Sequence, residues 1–101
     1  MAESIGGDGV FVSDAKTVTS AGTAEALGTT QLWSQLVIIA KAANTGNVFV
    51  GGSNVASSTN AGMAPGDALT LSPKPGTVLD LAKIYIDVAT SGEGVDFYGS
   101  K

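Results

Sequence analysis

The sequence contains no cysteine and no histidine, and because its five basic residues are all lysine, it contains no arginine either. Without cysteine there is no disulfide, thiolate nucleophile or thiolate metal site. Without histidine there is no Ser-His-Asp triad and no imidazole metal ligand. Ser-Lys or paired-carboxylate catalysis remains formally open, but the five lysines look like ordinary surface residues. We therefore expect a protein that is not an enzyme and has no cofactor and no metal site.

Charge is also scarce, and most of it is negative. Nine acidic residues against five lysines give the 101-residue chain a formal net charge of −4. Nucleic-acid binding requires many basic side chains, so we expect no nucleic-acid partner. The longest apolar run, residues 36–40, is far shorter than the ~20 residues of a membrane-spanning helix, and the N-terminus lacks the pattern of a signal peptide. We therefore expect no membrane partner and synthesis in a cytoplasm.

Turn-forming residues divide the chain into short apolar stretches, and the 14 glycines and three prolines supply many of the breaks. This rhythm predicts an all-β fold, an antiparallel β-sandwich or a jelly-roll-like barrel of about seven to eight short strands. We expect one domain over residues 9–101 after a flexible N-terminal arm, residues 1–8. Residues 77–81 either begin a strand or form a one-turn connector. The predicted strands are 9–13, 16–20, 24–27, 32–42, 47–51, 68–71, 83–88 and 95–98.

The clearest strand is 83–88, in which polar and apolar residues alternate. This period of two places Ile84, Ile86 and Val88 on one face and Lys83, Tyr85 and Asp87 on the other. A glycine-rich turn follows, and 95–98 repeats the alternation. We therefore expect these two strands to form a C-terminal hairpin.

The segment 32–42 is apolar on both faces. One set of alternate residues suits the inner face of a sandwich. The other set is expected to point outward: Trp33, Val37 and Ile39. Phe11 and Phe49 show the same conflict, because each lies between valines that are expected to face inward. A strand that is apolar on both faces is normally covered on both faces.

Two kinds of cover are open for these five outward residues. Loops or connectors of the same chain, such as residues 56–64, could fold over them. Alternatively, they could form an interface with another subunit, because outward aromatic and branched aliphatic side chains are typical of interface cores. We favour the interface.

Four stretches carry a resemblance when taken in order along the chain. They are residues 44–55 (NTGNVFVGGSNV), 62–71 (GMAPGDALTL), 79–87 (LDLAKIYID) and 92–95 (GEGV). Together they resemble small virion proteins of tailed bacteriophages, of the head decoration or cement type. The resemblance covers roughly residues 44–95, so the expectations for Trp33, Val37 and Ile39 draw no support from it.

The resemblance implies a β-sandwich or jelly-roll virion protein without enzymatic activity, made in the host cytoplasm and carried on the head surface. Such a protein binds the coat lattice as an oligomer and stabilises the head, so the implied partners are the major capsid protein and further copies of the chain, as a homotrimer. The expected oligomer or capsid interface consists of Trp33, Val37, Ile39, Phe11 and Phe49. The N-terminal arm is either ordered on a neighbouring subunit or simply frayed.

The alternative is a tail-fibre or baseplate module that binds a host glycan or another virion protein. Sugar sites on β-sandwiches use exposed aromatic rings, and the candidates here are Trp33, Tyr85 and Tyr98. We favour packing roles for all three, because aromatic side chains lie in cores and interfaces more often than in ligand sites.

Overall fold

The computed structural model describes residues 11–58 and 60–101, and over these residues the fold is all-β, which confirms the predicted class. The described part of the chain contains nine strands, and one short 3-10 turn, Leu81–Lys83, links the seventh strand to the eighth. The strands are β1 (Phe11–Thr17), β2 (Glu25–Ala26), β3 (Leu32–Trp33), β4 (Gln35–Ala40), β5 (Val48–Gly51), β6 (Ala68–Leu71), β7 (Leu79–Asp80), β8 (Tyr85–Val88) and β9 (Gly94–Ser100).

The strands pair in a nested order, the first with the last. β1 pairs with β9, β2 with β8, β3 with β7 and β4 with β6, all antiparallel. The innermost pair is β5 with a single bridge between Val48 and Met63. Two further pairings, β4 with β9 and β5 with β8, complete sheets of strand order β1-β9-β4-β6 and β2-β8-β5. The chain therefore folds as one long hairpin that is rolled into two main sheets.

The core lies between the inner faces of these two sheets. In β4, Leu36, Ile38 and Ala40 are buried, as the alternation predicts. They cluster with buried residues of both sheets, among them Val48, Ile86, Val88, Val95 and Phe97. Several short strands that are apolar on the same side thus produce a sandwich-like core.

The predicted C-terminal hairpin is wrong, because β8 and β9 belong to different sheets. After β8, the N–H of Ala89 donates to the carbonyl of Asn47, whereas within the turn the N–H of Gly92 donates to the carbonyl of Val18. Gly92 has a φ of +86°, a left-handed conformation that glycine adopts without strain. The turn therefore carries the chain from one sheet to the other instead of folding it back on its neighbour.

Three strand predictions also need correction. The predicted strands 9–13 and 16–20 are replaced by the single strand β1, which ends at Thr17, so residues 18–20 are not in a strand. Residues 9 and 10, like the expected arm 1–8, lie outside the described residues. The predicted strand 32–42 is divided at Ser34 into β3 and β4. Residues 77–81 were expected either to begin a strand or to form a one-turn connector. Both predictions are correct in part, because the strand β7 is followed directly by the 3-10 turn.

Asp87 is buried, although its place in the alternation predicts an outward carboxylate. Only 1% of the residue is exposed. Its Oδ1 accepts hydrogen bonds from the backbone N–H groups of Gly22, at 2.9 Å, and of Val88, at 2.8 Å. Asp87 therefore ties the loop between β1 and β2 to the middle of the smaller sheet, and these hydrogen bonds offset the cost of burying the group.

Candidate interaction surface

The outer face of the four-stranded sheet carries the apolar residues that do not enter the core. Paired residues of neighbouring strands share a face, so the register defines this surface. We define the outer face as Phe11, Ser13 and Ala15 of β1, Asp96, Tyr98 and Ser100 of β9, Gln35, Val37 and Ile39 of β4, and Ala68 and Thr70 of β6.

Val37 and Ile39 lie at the centre of this outer face. Val37 is directly opposite Tyr98 on one side and Thr70 on the other, and Ile39 is opposite Asp96 and Ala68. Both are half-buried, in contrast to the fully buried inner residues of the same strand. The structure therefore places these two predicted interface residues on one exposed sheet face, where part of their apolar surface remains accessible.

An ion pair borders this apolar centre. The Lys41 Nζ lies 2.7 Å from the Asp96 Oδ1, and about a third of each side chain is exposed, 31% and 38% respectively. Because Asp96 is directly opposite Ile39, the pair covers one side of the isoleucine. A partly exposed pair of this kind adds little stability and mainly sets the polarity of the edge of the surface.

Trp33 does not point outward, and this expectation is wrong. The residue is 1% exposed, and its ring packs in a tilted arrangement against Phe97, with ring centroids 5.7 Å apart. The cause is an irregularity at Ser34 and Gln35, which are both exposed between the buried Trp33 and Leu36. Two consecutive outward residues shift the phase of alternation, so Trp33 joins the inner set. Within the described part of the chain, its Nε1 has no hydrogen-bond partner.

Phe49 is covered by the chain itself. It is 7% exposed, and a Cβ placed on Gly62 would lie 2.7 Å from its Cε1, so the backbone at Gly62 lies directly against the ring. The same segment is held in place by two hydrogen bonds between the backbones of Val48 and Met63, at 2.7 and 3.0 Å. At this position the connector alternative holds, because a part of 56–64 supplies the cover.

Phe11 is the predicted interface residue that remains most exposed, at 75%. Two further large apolar side chains, which the sequence did not single out, are also exposed: Leu32 at 55% and Val78 at 52%. All three lie around the end of β9. Phe11 pairs with Ser100. Leu32 is two residues before Ser34, whose N–H donates to the Ser100 carbonyl. Val78 directly precedes Leu79, the strand partner of Trp33. We call Phe11, Leu32 and Val78 the apolar rim.

The loop after β4 and the turn before β9 are joined by side-chain hydrogen bonds. The Asn44 side chain donates from Nδ2 to the carbonyl of Gly94, at 2.8 Å, and accepts from the Gly94 N–H through Oδ1, at 3.3 Å. Glu93 accepts from the N–H of Thr45, at 2.7 Å, and from the N–H of Gly46, at 3.0 Å. These contacts clamp the loop after β4 to the turn before β9.

The clamp affects the acidity of Glu93. The hydrogen bond from the Thr45 N–H is the main cause that lowers the pKa of the Glu93 carboxyl, with further help from Gly46, against a smaller opposing effect of desolvation. The pKa of Glu25 is also lowered, chiefly by its hydrogen bond with Lys16, whose Nζ lies 2.9 Å from the Glu25 Oε1. Both carboxylates act as acceptors that join loops and strands.

The described residues hold no group of three or more acidic, histidine or cysteine side chains arranged for a metal ion. Over the same residues, no helix has the length and apolar character to cross a membrane.

Comparison with known proteins yields no relative. No family model, no curated protein and no solved structure matches this chain.

Proposed function

We propose that the chain is a structural protein of a bacteriophage virion, a jelly-roll decoration or cement protein that binds the coat lattice as an oligomer and stabilises the head. The observation that carries the proposal is the apolar surface left outside the core. Val37 and Ile39 lie on the outer face, and Phe11, Leu32 and Val78 form the rim beside it. Large apolar side chains that remain exposed are candidates for a protein interface.

The topology supports the same proposal. Nested pairing of first strand with last, in two main antiparallel sheets and a separate short β3–β7 pair, resembles the arrangement of a jelly roll. Jelly rolls recur in viral capsid proteins and in lectins. Fold alone does not assign a function, so the topology adds to the surface argument and does not replace it.

The resemblance is the second support, because the four stretches that carry it occur in order over residues 44–95. On this proposal the partners are the major capsid protein and further copies of the chain, and the site of action is the head surface.

The glycan-binding alternative loses its strongest candidate. Trp33, the largest aromatic ring of the chain, is enclosed in the core and offers no face to a sugar. Tyr85 and Tyr98 are half-buried members of strands. We therefore do not carry this alternative further.

The experiment is co-sedimentation of the purified chain with phage heads and, separately, with phage tails, followed by electron microscopy of the labelled subunit. We expect binding to heads. A double variant, Val37→Ser with Ile39→Ser, should bind heads about tenfold more weakly or worse, because apolar area is lost from the contact. Lys74→Ser, in an exposed loop, is the control and should bind like the original chain.

Two outcomes would overturn the proposal. One is a folded chain that fails to bind heads, and the other is a label found on tails. Retained binding by the double variant would show that Val37 and Ile39 are not the contact and would move the test to the rim, where Phe11→Ser is the corresponding variant.

A further inference from the structure

The edge strand β1 is the starting point, because it offers a long row of backbone groups for pairing. Among the described elements it pairs with β9 alone, and it lies at one edge of the four-stranded sheet. Together with β9 it is the longest strand in the described part of the chain, with seven residues, most of them exposed. Edge strands of this length are templates for another strand unless the protein blocks them.

The hydrogen-bond pattern shows which residues of β1 face the open edge. Val18, just after β1, donates to the Glu93 carbonyl and accepts from the Gly92 N–H, so its backbone points toward β9. Direction alternates along an antiparallel ladder, so Lys16, Asp14 and Val12 also point toward β9. The backbone groups of Ser13, Ala15 and Thr17 therefore point away from the sheet.

We propose that two copies of this chain pair through β1, antiparallel and centred on Ala15, so that their four-stranded sheets become one continuous sheet. In this register Ala15 lies opposite Ala15 of the second copy, and Ser13 lies opposite the second copy's Thr17. These outward-pointing residues become the hydrogen-bonded pairs, and their small side chains allow close approach.

The charges of Asp14 and Lys16 favour this register over the two registers centred on the adjacent residues. Centred on Ala15, the pairing places Asp14 opposite Lys16 of the second copy, and it does so twice because of the two-fold symmetry. Centred on Asp14, it would place two carboxylates opposite one another, and centred on Lys16, two ammonium groups. Opposite charges across a strand pair stabilise it and like charges destabilise it. The sequence of β1 is thus complementary to itself in one register.

Pairing would rearrange two local contacts. In the single copy, Asp14 Oδ1 accepts a hydrogen bond from the Ala15 N–H at 2.8 Å. In the dimer, that N–H would donate to the second copy instead. The Asp14 carboxylate would then pair with Lys16 of the second copy. Lys16 already contacts Glu25 at 2.9 Å, so it would lie between two carboxylates. The opposite reading is that Asp14 and Lys16 protect the edge, as charged residues on edge strands commonly do, and the chain is then a monomer.

This inference goes beyond the proposed function, because it concerns the purified chain alone. Two-fold pairing predicts a dimer, of twice the 10.0 kDa mass of the chain, whereas the phage resemblance implies a trimer. Light scattering on the purified chain separates these states, and its outcome is independent of whether the chain binds heads.

Cysteine cross-linking tests the register. The chain has no cysteine, so each variant carries one thiol. Hydrogen-bonded partners in an antiparallel pair have Cα atoms about 5.5 Å apart, within the range of a disulfide. Ala15→Cys should therefore form a covalent dimer on mild oxidation. Ser13→Cys and Thr17→Cys are matched controls on the same face, whose identical thiols would be about 14 Å apart and should stay unlinked. A mixture of these two controls should cross-link.

Charge exchange is the second test. Asp14→Lys places like charges in both cross-strand pairs, and so does Lys16→Asp. Each variant alone should dimerise about tenfold more weakly or worse. Mixed together, the two variants restore complementary charges and should form a heterodimer. A purely structural role of these residues would not produce this rescue.

Proline variants test the edge. Ser13→Pro removes an N–H that points to the open edge and should abolish the dimer, because proline cannot donate there. Thr70→Pro is the matched control at the opposite edge of the same sheet, where β6 pairs with β4 alone, and should leave the dimer intact. Trp33 fluorescence reports that each variant is folded. A monomer, a trimer, or equal cross-linking at positions 13 and 15 would overturn the proposal.

Discussion

The indole ring of Trp33 lies directly against the backbone of Gly99. A Cβ placed on Gly99 would lie 2.9 Å from the Trp33 Cε3 and would also collide with the carbonyl oxygen of Gln35. Gly99 belongs to β9 and pairs with Leu36 of β4, just beyond the irregularity at Ser34. The absence of a side chain at Gly99 is therefore what gives the ring its space in the core.

We predict that Gly99→Ala destabilises the fold by about 3 kcal/mol or more, because neither the ring nor the Gln35 backbone can move away cheaply. Urea unfolding followed by Trp33 fluorescence measures the effect. Gly28→Ala is the matched control, since its added Cβ would meet the Leu81 Cδ1 at an ordinary 3.6 Å. Equal stability of the two variants would contradict the close contact.

Trp33 itself should behave as a core residue. Trp33→Ala should cost about 3–5 kcal/mol of unfolding free energy, since it removes the largest buried side chain. Trp33→Phe should cost less, because it keeps much of the ring and removes an Nε1–H that has no hydrogen-bond partner among the described residues. Fluorescence emission of the native chain should be shifted to shorter wavelength than that of the unfolded chain. Small and equal effects of both substitutions would instead indicate an exposed ring.

The Glu93 clamp should make stability depend on pH. The pKa of Glu93 is lower in the folded chain than its ordinary value of 4.5, because the Thr45 N–H stabilises the carboxylate. This contribution is therefore fully present above pH 4.5 and is lost as the pH falls through the folded-state pKa. Thermal unfolding of the original chain and of Glu93→Gln should differ at pH 7 and converge as the pH falls through the folded-state pKa of Glu93. A difference that persists or grows in acid would refute this role.

The ion pair on the outer face should contribute little. A double-mutant cycle of Lys41→Ala and Asp96→Ala should give a coupling of about 0.2–1 kcal/mol, because roughly a third of each side chain is exposed to solvent. The coupling should decrease as salt rises from 0.05 to about 1 M. A larger coupling that is insensitive to salt would mean that the pair is more enclosed than its exposure indicates.

The sequence predicted local structure well where alternation is regular. The predicted strand 68–71 coincides with β6, and the short strand expected within 24–27 is present as β2. The prediction that Leu36, Ile38 and Ala40 face the core was also correct, because these apolar residues lie two positions apart along β4. These features depend only on neighbouring residues, which the sequence displays directly.

The failures have a different physical origin, since each depends on contacts between distant parts of the chain. The pairing of β9 with β1 and not with β8 depends on a turn whose partners are Asn47 and Val18. The burial of Asp87 depends on the N–H of Gly22 in another loop.

The interface prediction failed in part for the same reason. One additional outward residue at Ser34 reversed the orientation of Trp33, and a loop far along the chain covers Phe49. Val37 and Ile39 kept their predicted side because β4 itself is regular. Phe11 also remained exposed, and its neighbours Leu32 and Val78 emerged only when the fold brought three segments to one end.

The nested strand pairing has a consequence for how the chain folds. The bridge between Val48 of β5 and Met63 closes the shortest loop of the nested pairs. The pairs β4–β6, β3–β7, β2–β8 and β1–β9 close successively longer loops. The entropy cost of loop closure rises with loop length, but it falls once an inner pair has already formed. We therefore expect the strand pairs to form in order from the middle of the chain toward its ends, with the β1–β9 pair forming last. Such long-range pairing makes for slow folding.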